Sequence, residues 1–320
     1  MKDSARRITF LLGAGSSIPA GMPSTETLTE IVLLGADMKT AKSVFRHTHS
    51  TYYLGYPNVP GEDCVPQVHG LLQILKGEVD RYYKTRHAAN YENLYYLASQ
   101  IHDSELREYD NPAVQPLIDK IQPAVQSLLV PDVNGDRTEW SLSDLAYETV
   151  HYIYDIVWRK LLSSTIDSSK LSLLTEAVQS GNPVDIFTLN HDTVIDECLR
   201  AAGVKNYADG FGEAINEVRY FSPEVYYTTG NSVRIFKLHG SINWFRYDMG
   251  IGIPLNEDYW HTVDPQGNLQ WPLEARPVML VGAFNKMLSY SEDIFAELQC
   301  QFLGCLKETD CLVSLRVQFR

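Results

Sequence analysis

With 320 residues the chain has material for more than one small core, so one large α/β body with a sizeable insertion, or two lobes sharing a cleft, is expected. Its 44% hydrophobic and 21% charged residues exclude a disordered or fibrous chain, and a formal net charge of −13 without any basic run speaks against a direct grip on nucleic acid. The polar start Met1–Arg7 carries no signal-peptide pattern and no apolar stretch is long enough to span a bilayer, so no membrane association and a cytoplasmic location are expected.

In chain order, Arg7–Leu12 is a short apolar, partly β-branched run that stops at Gly13-Ala14-Gly15-Ser16-Ser17, the pattern of a buried first strand entering a phosphate-binding loop. After Gly21-Met22-Pro23, the capping types Ser24-Thr25-Glu26-Thr27 precede Leu28, Ile31, Val32 and Leu33 and predict a helix. From about residue 40 to 173 the spacing is helical and rich in tyrosine, as in Tyr91–Leu97 and Leu145–Trp158, with loops at 56–66 and 130–137. The segment reads as a helical insertion that caps a nucleotide cleft.

Strand character returns at Val184–Leu189, followed by Asn190-His191-Asp192 and a helical run through Val194, Ile195, Cys198 and Leu199. Val233–Leu238 is predicted as a third strand ending at His239-Gly240-Ser241, Pro277–Val281 as a fourth and Cys311–Leu315 as a fifth. The pattern predicts an α/β fold: a Rossmann-like parallel sheet with flanking helices and a large helical insertion, the nucleotide-binding body being 1–39 plus 174–320 and the insertion 40–173. Polar groups just past the carboxyl ends of several strands stand where open α/β sheets bind ligands.

The five cysteines, Cys64, Cys198, Cys300, Cys305 and Cys311, contain no C-x-x-C pair, so reduced, mostly buried thiols are expected and no metal site. Trp244, Phe245, Tyr247 and Trp260, with only Arg246 among them, read as core rather than as a base-stacking surface, and the adjacent carboxylates Asp196 and Glu197 as a solvated helix face.

Three ordered motifs then carry a family resemblance: Gly13-Ala14-Gly15-Ser16-Ser17 with Gly21 and Pro23, Thr188-Leu189-Asn190-His191-Asp192, and Lys237-Leu238-His239-Gly240-Ser241-Ile242-Asn243-Trp244. In these the chain resembles the sirtuin-like NADase domains of bacterial anti-phage defence systems. The resemblance implies NAD as substrate, with Asn190 holding the nicotinamide ribose and an attacking water, Asp192 accepting from the carboxamide, and His239 acting as base on the ribose hydroxyls. Gly13, Ala14, Gly15, Ser16, Ser17, Gly21 and Pro23 would bind the cofactor's phosphates, with Thr188, Gly240 and Ser241 completing the cofactor contacts. Sirtuin deacetylases carry two C-x-x-C pairs and an Asp-Phe-Arg after the Gly-x-Pro. Here neither is present and Ser24-Thr25-Glu26 replaces the latter, so hydrolysis to nicotinamide and ADP-ribose is expected ahead of deacylation or ADP-ribosyl transfer.

The chain end, 316–320, lacks the Gly-x-Ser-type turn that contacts the adenosine half in that family, so this contact is expected to be built differently or to be missing. The resemblance further implies an NAD-depleting effector that works as a homo-oligomer with a separate sensor or ATPase chain, of HerA-type or Argonaute-like kind. From a different class, the alternative is a non-catalytic module sensing NAD or ADP-ribose.

Overall fold

The computed structural model of the chain describes residues 6–34, 65–84, 86–106, 112–129, 141–228, 230, 232–255, 262–263, 269–270, 272–273, 276–282, 290 and 293–315. Cys64, Trp260, the loop at 130–137, most of the loop at 56–66 and the chain end 316–320 lie outside the described residues. The strands are β1 Ile8–Leu12, β2 Val184–Thr188, β3 Phe211–Ile215, β4 Val218–Phe221, β5 Val233–Lys237, β6 Phe245–Tyr247, β7 Gly250–Pro254, β8 Thr262–Val263, β9 Leu269–Gln270 and β10 Cys311–Leu315. The helices are α1 Thr25–Leu33, α2 Val65–Tyr83, α3 Tyr91–Leu106, α4 Gln115–Val125, α5 Leu142–Leu162, α6 Ser172–Gln179, α7 Val194–Ala201 and α8 Asp293–Lys307. By contact the chain divides into two compact units, one of Met1–Ser24, Leu161–Leu280 and Lys286–Arg320, the other of Thr25–Lys160 and Val281–Asn285.

The first unit is built on a parallel sheet, ordered β10-β1-β2-β5 among the described residues. Every residue of the central strand β2 is buried, as a parallel strand covered on both faces requires. Phe187 of β2 stacks on Phe236 of β5 with ring centroids 4.4 Å apart, and Phe302 of α8 meets Phe187 edge-on at 4.8 Å. Helix α8 adds Ile294, Phe295, Leu298 and Cys305 to that cluster. Helix α7 turns Val194, Ile195, Cys198 and Leu199 inward, the one-face spacing read from sequence. The fold is therefore α/β, with flanking helices and the long helical segment inserted between β1 and β2.

A second, antiparallel sheet, β3-β4-β7-β6, was not legible in the sequence. Asn216 and Glu217 both adopt positive φ, 50° and 66°, in the two-residue turn between β3 and β4, a geometry matched to the twist of a tight hairpin. Arg219 of β4 clamps the hairpin through paired bonds of 2.8 and 2.7 Å to Asp209 and a third, 2.7 Å, to the Phe211 carbonyl.

The expectation of a strand over Pro277–Val281 is corrected: among the described residues the segment joins no sheet and forms only an isolated bridge between Met279 and Gly240. Its backbone is used up against the turn after β5, where Ser241 N–H donates to Val278 O, Leu280 N–H to His239 O and Val278 N–H to Trp244 O. The expectation of mostly buried thiols is corrected too. Cys198 and Cys305 are buried, whereas Cys300 and Cys311 are exposed, the latter on the edge strand β10. Trp244, Phe245 and Tyr247 are core residues, as read.

The second unit is helical. Leu71, Leu72 and Leu75 of α2, Leu94 and Ile101 of α3, Ile121 and Val125 of α4, and Leu145, Ile153 and Val157 of α5 form its apolar interior. The start of α3 is tied to α1 by a 3.0 Å bond from Tyr91 N–H to the Thr29 hydroxyl. Among the described residues no helix is long and apolar enough to cross a membrane.

Candidate functional site

In the parallel sheet Leu12 pairs with Thr188 and Thr188 with Lys237. The three strands end level with one another, and adjacent strands lie only about 4.8 Å apart. The glycine loop after β1, the Asn190–Asp192 turn after β2 and the His239–Ser241 turn after β5 are thereby gathered at one edge of the sheet. Sequence separations of more than 170 residues collapse to hydrogen-bond distance there.

The glycine loop does not run straight into a helix. It folds into two single 3-10 turns, Ala14–Ser16 and Ile18–Ala20, before α1 begins at Thr25. Ser16 closes the first turn with its N–H and hydroxyl, both donating to Gly13 O at 2.8 Å. Gly13 N–H is held by Leu315 O of β10, while Ala14 is exposed and Gly15 half-buried. Gly21 has φ +102°, and a Cβ there would lie 2.3 Å from Thr165 O, so the turn before the half-buried Pro23 requires glycine.

Asn190 is the joint between the loops. Its backbone N–H donates to the Thr188 hydroxyl at 3.0 Å. The side-chain Nδ2 donates toward Ser17 Oγ at 2.8 Å, Gly13 O at 3.1 Å and Ser16 Oγ at 3.3 Å. Because Gly13 O can only accept, the amide orientation is fixed with its nitrogen on the glycine loop. The other end of the amide, Oδ1, is buried and accepts no hydrogen bond among the described residues, in a side chain only 6% exposed.

Asp192 is also buried. It accepts from Val194 N–H at 3.0 Å, capping the start of α7, and from the Ser17 hydroxyl. A chain of bonds therefore runs from Asn190 through Ser17 to Asp192. Burial pushes the Asp192 carboxyl above the ordinary carboxylate range, opposed by the Val194 amide, the Ser17 hydroxyl and the Lys237 ammonium. Beneath it, burial and the nearby Asp192 push the Cys198 thiol up to about 11, which keeps it an inert thiol.

His239 is 7% exposed, and its Nε2 shares a 2.5 Å hydrogen bond with the Tyr290 hydroxyl. The His191 ring lies 6.1 Å from that of His239, centroid to centroid. Gly240 has φ +78°, and a Cβ would lie 2.1 Å from Val278 O, so the turn that carries His239 depends on glycine. Ser241 is fully buried and receives a 2.9 Å bond from Lys237 Nζ.

The comparisons with known proteins add no relative. No family model matches the chain, and no curated protein does.

The site residues singled out from sequence thus fall on three loops of one sheet edge, except Thr188, the last residue of β2, and Asn190, Asp192, Ser16 and Ser17 form one hydrogen-bonded cluster. Three participants were not singled out. Tyr290 sits on His239, with no sequence signal nearby. Lys237 is buried and reaches Asp196 at 2.8 Å. Asp196 is therefore not part of a solvated face, and Glu197 is half-buried, pairing with Arg200 at 2.6 Å. A lysine directly after the apolar pair Ile235-Phe236 at a strand end was the available signal for that pair. Among the described residues no group of His, Cys, Asp and Glu is arranged to hold a metal ion.

Proposed function

We propose that the chain hydrolyses NAD at the nicotinamide–ribose bond. The observation that carries this reading is the Asn190 amide, whose nitrogen is locked on the glycine loop while its buried Oδ1 has no donor among the described residues. A buried acceptor without a partner costs on the order of 1–3 kcal/mol, a cost that a water or ribose hydroxyl donating to Oδ1 would remove. In this reading the C1′–N bond breaks with its electron pair passing to nicotinamide, and a water held by Asn190 adds its oxygen to the ribosyl cation. His239 receives the proton lost from a ribose hydroxyl or from the water. The reaction releases nicotinamide and ADP-ribose.

Breaking this bond builds positive charge on the ribose ring, so aligned acceptors matter more than a strong nucleophile. The buried Asp192, held by the Ser17 hydroxyl and facing the Lys237 ammonium, supplies an acceptor for the carboxamide. The clustering of three loops at the carboxyl edge of a parallel sheet supports a dinucleotide as the ligand. An NAD-depleting effector of anti-phage defence, acting as a homo-oligomer under the control of a separate partner chain, is the biological role consistent with that chemistry.

The test is to incubate the purified chain, Asn190→Ala and His239→Ala with NAD and to follow nicotinamide by chromatography. Release by the wild type that vanishes in both variants is expected. Tight NAD binding without release, alone and with partner chains, would replace hydrolysis by a sensing function.

A further inference from the structure

Lys237 makes two hydrogen bonds and one ion pair with three separate pieces of chain. Nζ donates to the backbone carbonyl of Asp192 at 3.1 Å and to the Ser241 hydroxyl at 2.9 Å, and it pairs with the Asp196 carboxylate of α7 at 2.8 Å. The side chain is 5% exposed, so these bonds are shielded from solvent. Ser241 passes the link on, its hydroxyl donating to His191 O at 3.3 Å, while Ile242 N–H donates to the same carbonyl at 2.9 Å. The turn that bears Asn190 and Asp192 and the turn that bears His239 are thus tied to each other through one buried cation.

We propose that Lys237 is the positioning residue of the site, fixing the spacing between the Asn190–Asp192 turn and the His239–Ser241 turn. The catalytic part of this inference rests on the NAD-hydrolase reading. The mechanical part does not. Lysine suits the task because a flexible four-carbon stem carries a compact charge with three independently directed donors, whereas neither an apolar side chain nor a planar guanidinium would reach the three acceptors together. The ion pair with Asp196 neutralises the cation, while two hydrogen bonds from Nζ hold the turns.

Lys237→Met keeps the length and removes the ammonium, but it strands Asp196 as a buried carboxylate and risks the fold. Lys237→Met combined with Asp196→Leu removes both charges, an exchange that buried ion pairs often tolerate. Three readouts are taken on the full chain: thermal unfolding, amide hydrogen exchange of peptides covering 190–194 and 239–242, and kcat and KM for nicotinamide release.

The double variant is expected to unfold near the wild-type temperature, with exchange in both turns faster by about 10-fold or more while β2 and β5 keep their protection. Turnover is expected to fall about 30-fold or more with KM changed by less than about 3-fold, the pattern of reacting groups out of alignment rather than of lost binding. Wild-type exchange in either turn overturns the proposal, as does wild-type kcat. A double variant that melts far below the wild type also overturns it, because the pair then holds the fold and not the turns. If the wild type releases no nicotinamide, the hydrolase reading fails, and the exchange measurement alone decides whether Lys237 couples the turns.

Discussion

Replacing Asn190 by alanine separates what the residue does for the fold from what it does for a ligand. The substitution removes an NH2 group with two protons, shared among three acceptors at 2.8, 3.1 and 3.3 Å. At roughly 1 kcal/mol net for each proton donated, the loss is about 2 kcal/mol. It strands nothing, since Gly13 O keeps Ser16 as donor and the Ser17 hydroxyl keeps Asp192 as acceptor. It also deletes the unpartnered Oδ1, whose burial costs on the order of 1–3 kcal/mol. The two effects nearly cancel, so the unfolding free energy in urea should change by no more than about 1 kcal/mol. Over the same change, nicotinamide release should fall at least ~100-fold, which corresponds to about 2.7 kcal/mol of lost transition-state stabilisation. A variant that loses more than about 3 kcal/mol of stability would refute the reasoning, for Asn190 would then be a clamp in a fully satisfied core.

Asp192 gives a pH signature: its carboxyl is raised in the folded chain, so its contribution to stability is full below the unfolded value of about 4 and is lost as pH rises through the raised folded value. Urea unfolding between pH 4 and 7 should therefore show a shallower loss of stability with rising pH in Asp192→Asn, which keeps the cap on Val194, and an unchanged slope would sink the assignment. Gly240→Ala forces a left-handed alanine whose Cβ meets Val278 O, and thermal or urea unfolding should register a loss of about 2 kcal/mol or more. Tyr290→Phe removes only the hydroxyl on His239 Nε2, so turnover should drop roughly 10-fold at nearly unchanged stability, and equal kcat would show that this bond does not orient His239. Brief thiol labelling of the native chain, mapped by mass spectrometry, should modify Cys300 and Cys311 and spare Cys198 and Cys305, both buried and both pushed up to about 11 by burial.

The parallel sheet was legible because β1, β2 and β5 are short apolar runs stopped by glycine or by polar residues, and a strand buried on both faces writes that signal strongly. The second sheet writes it weakly. Its strands β3 and β4 are five and four residues long, only Phe211 and Val218 in them are buried, and their turn uses Asn216-Glu217 where a glycine would have advertised it. Pro277–Val281 misled for the opposite reason: it is apolar and largely buried, but its backbone bonds to the His239 turn, and hydrophobicity alone does not tell whether a backbone pairs with a strand or with a loop. The motif residues were readable as single positions, but what joins them was not. Lys237, Asp196 and Tyr290 enter the site through sheet register and packing, which no local window contains.

Two buried polar clusters on the same sheet differ in how fully their polar groups are satisfied. Towards the other end of β2, Asp185 is fully buried, with both oxygens taken by Arg234 at 2.6 and 2.8 Å and by Arg7 at 3.1 Å. That cluster is closed: every acceptor on the carboxylate has a donor, as a purely structural ion pair in a core requires. At the carboxyl edge the same strand leads into Asn190, an amide acceptor with no donor among the described residues, and Asp192, a carboxyl raised by burial and only partly compensated by its neighbours. A fold that satisfies one buried cluster completely and leaves the next one open has not failed at packing. The open acceptor stands beside the glycine loop, and local inconsistency of this kind concentrates at functional sites rather than in a packed core.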